Sequence, residues 1–139
     1  MKKLSLLVLG KLAEMICGDK PYSYLPYRSS SALTGFFGDL DLNYVHDGST
    51  RRDWVRSVLE ELNTRSATTT DLPSQEMIKV IEYLLHPDHF NSTKAHDQDQ
   101  AIASVNEYLR PYEICVTKSK RTHTVTLHPL YAPFAQIWR

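Results

Sequence analysis

Glu113-Ile114-Cys115-Val116-Thr117, then Lys118-Ser119-Lys120-Arg121-Thr122, then His123-Thr124-Val125-Thr126-Leu127: across these residues the hydrophobic period changes from helical to alternating. The alternation and the β-branched side chains predict two strands, and the charged segment between them predicts a hairpin tip. A two-stranded hairpin is marginal by itself in water, so it must lie on other elements or pair with another strand. Its outer strand is expected to offer an unpaired edge.

Everything upstream of Pro111 reads as helix and loop. Leu4, Leu7, Val8, Leu12, Met15 and Ile16 recur at helical spacing, and Gly18 stands just past the predicted helix end. Pro21-Tyr22-Ser23-Tyr24-Leu25-Pro26-Tyr27 predicts an extended aromatic strap laid across the core. Ser29, Ser30 and Ser31 offer N-caps to a short helix through Leu33, Phe36 and Phe37. A third helix opens with Thr50 as cap and Asp53 as first-turn acid, and buries Trp54, Val55, Val58, Leu59 and Leu62. The polar run from Thr64 to Thr70 predicts a loop. Ser74 caps a fourth helix with Met77, Ile78, Ile81, Leu84 and Leu85 inward, ended by His86-Pro87. A fifth, from about Asp97 to Arg110, buries Ala101, Ile102, Val105, Tyr108 and Leu109. The expected fold is therefore mainly α with a C-terminal β-hairpin (α+β), a compact five-helix body. Tyr131, Phe134, Ile137 and Trp138 are expected to dock the tail onto that body.

A chain of 139 residues is long enough to bury one core, so a single domain over residues 1–139 is expected. Lys plus Arg and Asp plus Glu both total 16, and net charge therefore gives no argument for a nucleic-acid or membrane partner. Lys2 and Lys3 before the apolar run to Leu9 imitate a signal peptide, but Gly10, Lys11 and Glu14 interrupt it early, and a cytoplasmic location is expected. Cys17 and Cys115 read as small buried hydrophobes of a reduced protein.

No residue set spells a catalytic centre. His86, His89, His96, Asp97 and Asp99 include ligand types that zinc accepts, yet Pro87 breaks the helix that would align two imidazoles, so no metal and no other cofactor is expected. Arg121 and His128 have a spacing used for RNA cleavage, but on a hairpin rather than a helix. The five glycines form no phosphate-cradling run. Two basic groups remain, Arg51, Arg52 and Arg56 on the third helix and Lys118, Lys120 and Arg121 at the hairpin tip. Arginine forks suit phosphate, and a first helical turn also presents free N–H groups. The alternative is an ordinary solvated face, with Asp53, Glu60 and Glu61 compensating. Tyr22, Tyr24, Tyr27 and Tyr44 could stack on bases, though such rings more often pack with only the hydroxyl in water.

Leu25-Pro26-Tyr27-Arg28-Ser29-Ser30-Ser31 through Phe36-Phe37, Gly48-Ser49-Thr50-Arg51-Arg52-Asp53-Trp54-Val55 and Ala101 through Val105-Asn106-Glu107-Tyr108-Leu109 resemble the N-terminal, effector-associated domain of AbiJ-like abortive-infection proteins. His86-Pro87-Asp88-His89-Phe90 stands where that family commonly has D-P-R-x-F, and Pro111-Tyr112-Glu113 where it usually has an Asp-Gly turn. The resemblance implies prokaryotic antiviral defence, in which such domains accompany effectors such as nucleases and act in sensing or assembly. The expected function is a non-catalytic sensor module that binds a cyclic oligonucleotide, RNA or another phosphate-rich ligand through Arg28, Arg51, Arg52, Arg56, Lys118, Lys120 and Arg121. The alternatives are a protein-interaction or homo-oligomerisation domain of a defence effector, and a small metal-independent RNase toxin using His86 or His89.

Overall fold

The computed structural model describes residues 2–91 and 93–130; the tail on which docking of Tyr131, Phe134, Ile137 and Trp138 was expected lies outside them. Five α-helices, α1 (Leu6–Cys17), α2 (Ser30–Gly38), α3 (Arg51–Leu62), α4 (Gln75–Leu84) and α5 (Gln98–Leu109), are followed by strands β1 (Ile114–Lys118) and β2 (Val125–Pro129). The strands form a two-stranded antiparallel sheet, so the mainly α fold closed by a hairpin is what the chain adopts. Short 3-10 turns at Pro87–Phe90 and Arg110–Tyr112 link the later elements.

The helix starts follow the local chemistry. Ser5, Ser29, Ser74 and Asp97 each accept a hydrogen bond from a backbone N–H two or three residues into the helix they precede, satisfying an otherwise orphaned donor. Thr50 occupies the N-cap position of α3 but its side chain makes no capping bond, contrary to expectation.

Helix α1 is the centre of the fold. Val8, Leu9, Leu12, Ala13, Met15, Ile16 and Cys17 are all buried, more than one face of a surface helix provides. Its main partner is α3, which lays Trp54, Val55, Val58, Leu59 and Leu62 against it. Leu7, placed inward by periodicity, is 69% exposed, because Val8 and Leu9 take the core-facing positions beside it.

A helix buried to its last turn must have its terminal carbonyls satisfied by protein. Gly18 adopts φ 71°, and the amides of Gly18 and Asp19 turn back onto Met15 O and Glu14 O. That reversal is open to glycine and strained for side-chain-bearing residues. It also brings the chain against residues 26 and 27, where a Cβ on residue 18 would lie 2.1 Å from Pro26 O. Gly10 lies in mid-helix, and its missing side chain leaves room for the Arg52 guanidinium.

The tyrosine-rich segment is a series of turns, not the extended strap expected: Tyr22 N bonds Asp19 O and Leu25 N bonds Tyr22 O. Tyr22 and Leu25 are buried, which the turns achieve by pointing both into the core. Tyr24 Oη hydrogen-bonds Ser104 on α5, while Tyr27 is 64% exposed.

The hairpin buries Ile114, Val116, Val125 and Leu127 on its inner face, β1 packing on α5 and β2 on α4. Its outer edges are tied down. The Asn106 side chain on α5 makes a two-point contact with Val116, donating to its carbonyl at 3.0 Å and accepting from its amide at 2.7 Å. Glu82 on α4 accepts from Leu127 N at 2.8 Å. The expectation of an unpaired edge is therefore corrected at the middle of both strands, because the helices underneath supply side-chain partners. The strand limits also move: Glu113 and His123, read as strand, take φ 58° and 62°, which ends regular extended backbone.

Gly18→Ala is expected to destabilise the protein by more than about 1 kcal/mol, since both the left-handed φ and the carbonyl contact oppose a side chain. Gly10→Ala should be neutral or stabilising by up to about 1 kcal/mol, because only a flexible side-chain end must move. Urea unfolding of the two variants distinguishes these outcomes.

Candidate functional site

The seven cations singled out by sequence stand on three different parts of the chain. Arg28 follows the turns after α1, Arg51, Arg52 and Arg56 lie on α3, and Lys118, Lys120 and Arg121 stand at the far end of the hairpin.

Arg28 and Arg51 complete the end of α1. The two remaining carbonyls of its last turn, Ile16 O and Cys17 O, accept from Arg28 Nη1 at 2.9 Å and from Arg51 Nη2 at 2.8 Å, and Arg28 N also donates to Cys17 O. Arg51 Nε donates to Arg28 O at 2.9 Å and Nη1 to Asp19 at 3.1 Å. The planar fork thereby serves all three of its nitrogens and lies 4.2 Å over the Tyr27 ring. Cations at a helix C-terminus also meet the negative end of its dipole. Arg28 is only 6% exposed and stacks 4.7 Å from the Phe36 ring centroid. Burial lowers it to about 10, so it remains charged at neutral pH. These contacts correct the expectation that Arg28 and Arg51 present their forks to an external anion.

Arg52 is drawn to Glu14 at 2.9 Å across the α1–α3 contact, and Arg56 makes an i,i+4 surface pair with Glu60 at 3.9 Å. Such partly exposed pairs contribute little and are readily exchanged.

The hairpin tip is different. Lys118 pairs with Asp99 at 2.5 Å, but Lys120 and Arg121 are exposed and have no acidic partner among the described residues. The turn that carries them is well bonded. Ser119 N donates to Thr124 O and His123 N to Ser119 O, while Ser119 Oγ accepts from the amides of Arg121 and Thr122 at 3.3 Å. Gln98 on α5 anchors the turn to the body by donating to both His123 O at 2.7 Å and Leu85 O at 2.9 Å. Two cations thus project from a turn held to the helices, with the hydroxyls of Ser119, Thr122 and Thr124 beside them. The anchor Gln98 gave no sequence signal, because its role depends on where the hairpin lands.

His86 and His89 have structural surroundings. His86 Nδ1 accepts from Asp88 N at 3.1 Å, capping the 3-10 turn. His89 packs against Tyr83 with ring centroids 4.6 Å apart, beside Phe36. Burial, followed by the nearby Arg28 charge, pushes His89 down to about 4, so its imidazole is neutral at pH 7. Tyr83 is pushed up to about 12 by burial and by its 2.5 Å bond to Asp39. Asp97, among the residues weighed for metal, caps α5 through Gln100 N. Of the tyrosines weighed for stacking, Tyr22 meets Tyr108, Tyr24 meets Ser104 and Tyr44 Oη accepts from Arg65 at 3.1 Å, while Tyr27 is exposed with Arg51 over its ring.

No family model, no curated protein and no solved structure matches the chain. Among the described residues, no helix is long and apolar enough to cross a membrane.

Arg51→Ala is expected to lower stability by about 2 kcal/mol or more, since buried carbonyls lose charged donors. Arg51→Lys should recover only part of it, because a point ammonium cannot serve the same three acceptors. Chemical denaturation reads both. His89 gives a pH prediction: between about 6.5 and about 4 the unfolded chain binds a proton that folded His89 does not, so its contribution to stability falls as pH falls through that window. His89→Phe should flatten the slope of unfolding midpoint against pH there, relative to wild type.

Proposed function

We propose that this chain is a non-catalytic recognition module of prokaryotic antiviral defence, working in the cytoplasm, that binds a phosphate-rich ligand, a cyclic oligonucleotide or RNA, at its hairpin tip. The observation that carries the ligand part is the contrast among the predicted cations. Arg28 and Arg51 are committed to the end of α1, whereas Lys120 and Arg121 are exposed, lack an acidic partner among the described residues and sit on a turn fastened to α5. A held turn loses little freedom on binding, which favours affinity for a polyanion over a floppy basic tail. Lys118 adds a third cation once its exposed partner Asp99 is displaced. The defence context is supported by the resemblance of the Leu25–Phe37 and Gly48–Val55 regions to AbiJ-like N-terminal domains.

Calorimetry with a cyclic oligoadenylate and with a short single-stranded RNA tests this reading. Lys120→Ala with Arg121→Ala should weaken binding at least about tenfold, and the loss of affinity with salt should be shallower by about 0.7 in log–log slope for each phosphate contact removed. Binding that is absent from the wild type, or unchanged in the double variant, rejects the tip as the ligand site.

A further inference from the structure

The outer face of the hairpin carries a second arrangement. Cys115 and His128 are register partners across the two strands, so their side chains leave the sheet on the same side. That side faces away from the helices, as the neighbouring Ile114, Val116, Val125 and Leu127 take the inner positions. Cys115 Sγ lies 3.8 Å from His128 Nε2, and Thr117 Oγ1, on the same face, lies 3.0 Å from that nitrogen. The other ring nitrogen, Nδ1, is 2.8 Å from the carbonyl oxygen of Pro129. A carbonyl only accepts, so in the neutral imidazole Nδ1 carries the proton and Nε2 presents its lone pair to the thiol and the hydroxyl. A sulfur nucleophile, a base within reach and a third group that orients the base are therefore in place.

We infer that Cys115 and His128 form a thiol-exchange site on the outer face of the hairpin, modified by small-molecule disulfides. Cys115 is half-buried rather than enclosed, unlike Cys17, which is fully buried and pushed up to about 11 by that burial. Burial also pushes the Cys115 thiol up, with the charge of Arg110 opposing it. Without help such a thiol has little thiolate at neutral pH, which gives the base something to do.

The step balances within these groups. His128 Nε2 takes the thiol proton, Sγ attacks one sulfur of the disulfide, the new Sγ–S bond forms as the old S–S bond breaks, and the departing thiolate receives the proton from His128. Cys115 is oxidised to a mixed disulfide and one half of the small disulfide is reduced to a thiol. The product places a bulky group on the strand that leads directly into Lys118 and the tip.

Incubation of the full chain with oxidised glutathione, followed by mass spectrometry of the peptides, tests the inference. One glutathionyl group is expected on Cys115 and none on Cys17. His128→Gln should slow its addition at least about tenfold, the low end of what a positioned base contributes. A measurement on the wild type alone guards against a variant that misfolds: an unassisted thiol loses about tenfold in rate per pH unit below its pKa, and the assisted one should lose distinctly less between about pH 8 and about pH 6. Native Cys115 that stays unmodified, or a wild-type rate showing the full tenfold dependence together with an unchanged rate in His128→Gln, overturns the site itself.

Discussion

Four carbonyls at the end of α1 set the terms for much of the structure. Because α1 runs through the core, Glu14, Met15, Ile16 and Cys17 cannot all leave their last lone pairs to water. Two are satisfied by the reversal at Gly18, and two by guanidinium groups that arrive from Arg28 and Arg51. Several otherwise separate features follow from this one requirement. The chain after α1 must fold back tightly enough for Pro26 to touch Gly18. Arg28 must enter the interior, where the Phe36 ring covers it. And α3 must begin where the Arg51 side chain can reach both Cys17 O and Arg28 O, which fixes its start beside the end of α1.

The same logic sorts the charges of a neutral protein into two kinds. Arginines near the core act as backbone partners, and their value there is the geometry of the fork as much as the charge. At the hairpin tip Lys118 pairs with Asp99, while Lys120 and Arg121 remain outward. The hairpin itself is joined to the helices by polar side chains, Asn106, Glu82 and Gln98, in addition to its four buried apolar residues. These contacts let two strands persist where an isolated hairpin would be marginal, and they occupy edge groups that could otherwise recruit another chain.

Much of the architecture was legible in the residues. Helical periodicity around Trp54–Leu62 and Met77–Leu84, the caps at Ser29 and Ser74, and the change to alternation after Pro111 are local signals that survive in the folded chain. The strand limits were less legible, because Glu113 and His123 become left-handed only through the turns that aim the hairpin at α4 and α5. The tyrosine-rich segment was misread for a similar reason. Its prolines favour extended backbone locally, but burying both Tyr22 and Leu25 requires turns.

The candidate site shows the limit most plainly. From the sequence, Arg28, Arg51, Lys120 and Arg121 are equivalent cations, since composition and spacing report a charge but not the acceptors it will meet. Local sequence determined that there would be five helices, a hairpin and a basic tip, because caps, periods and turn residues act within a few positions of themselves. Tertiary structure decided which cations are internal partners and which face outward, and it set Cys115 opposite His128. Both depend on contacts between residues distant in the chain, which exist only once α1 is buried and the strands have found their register.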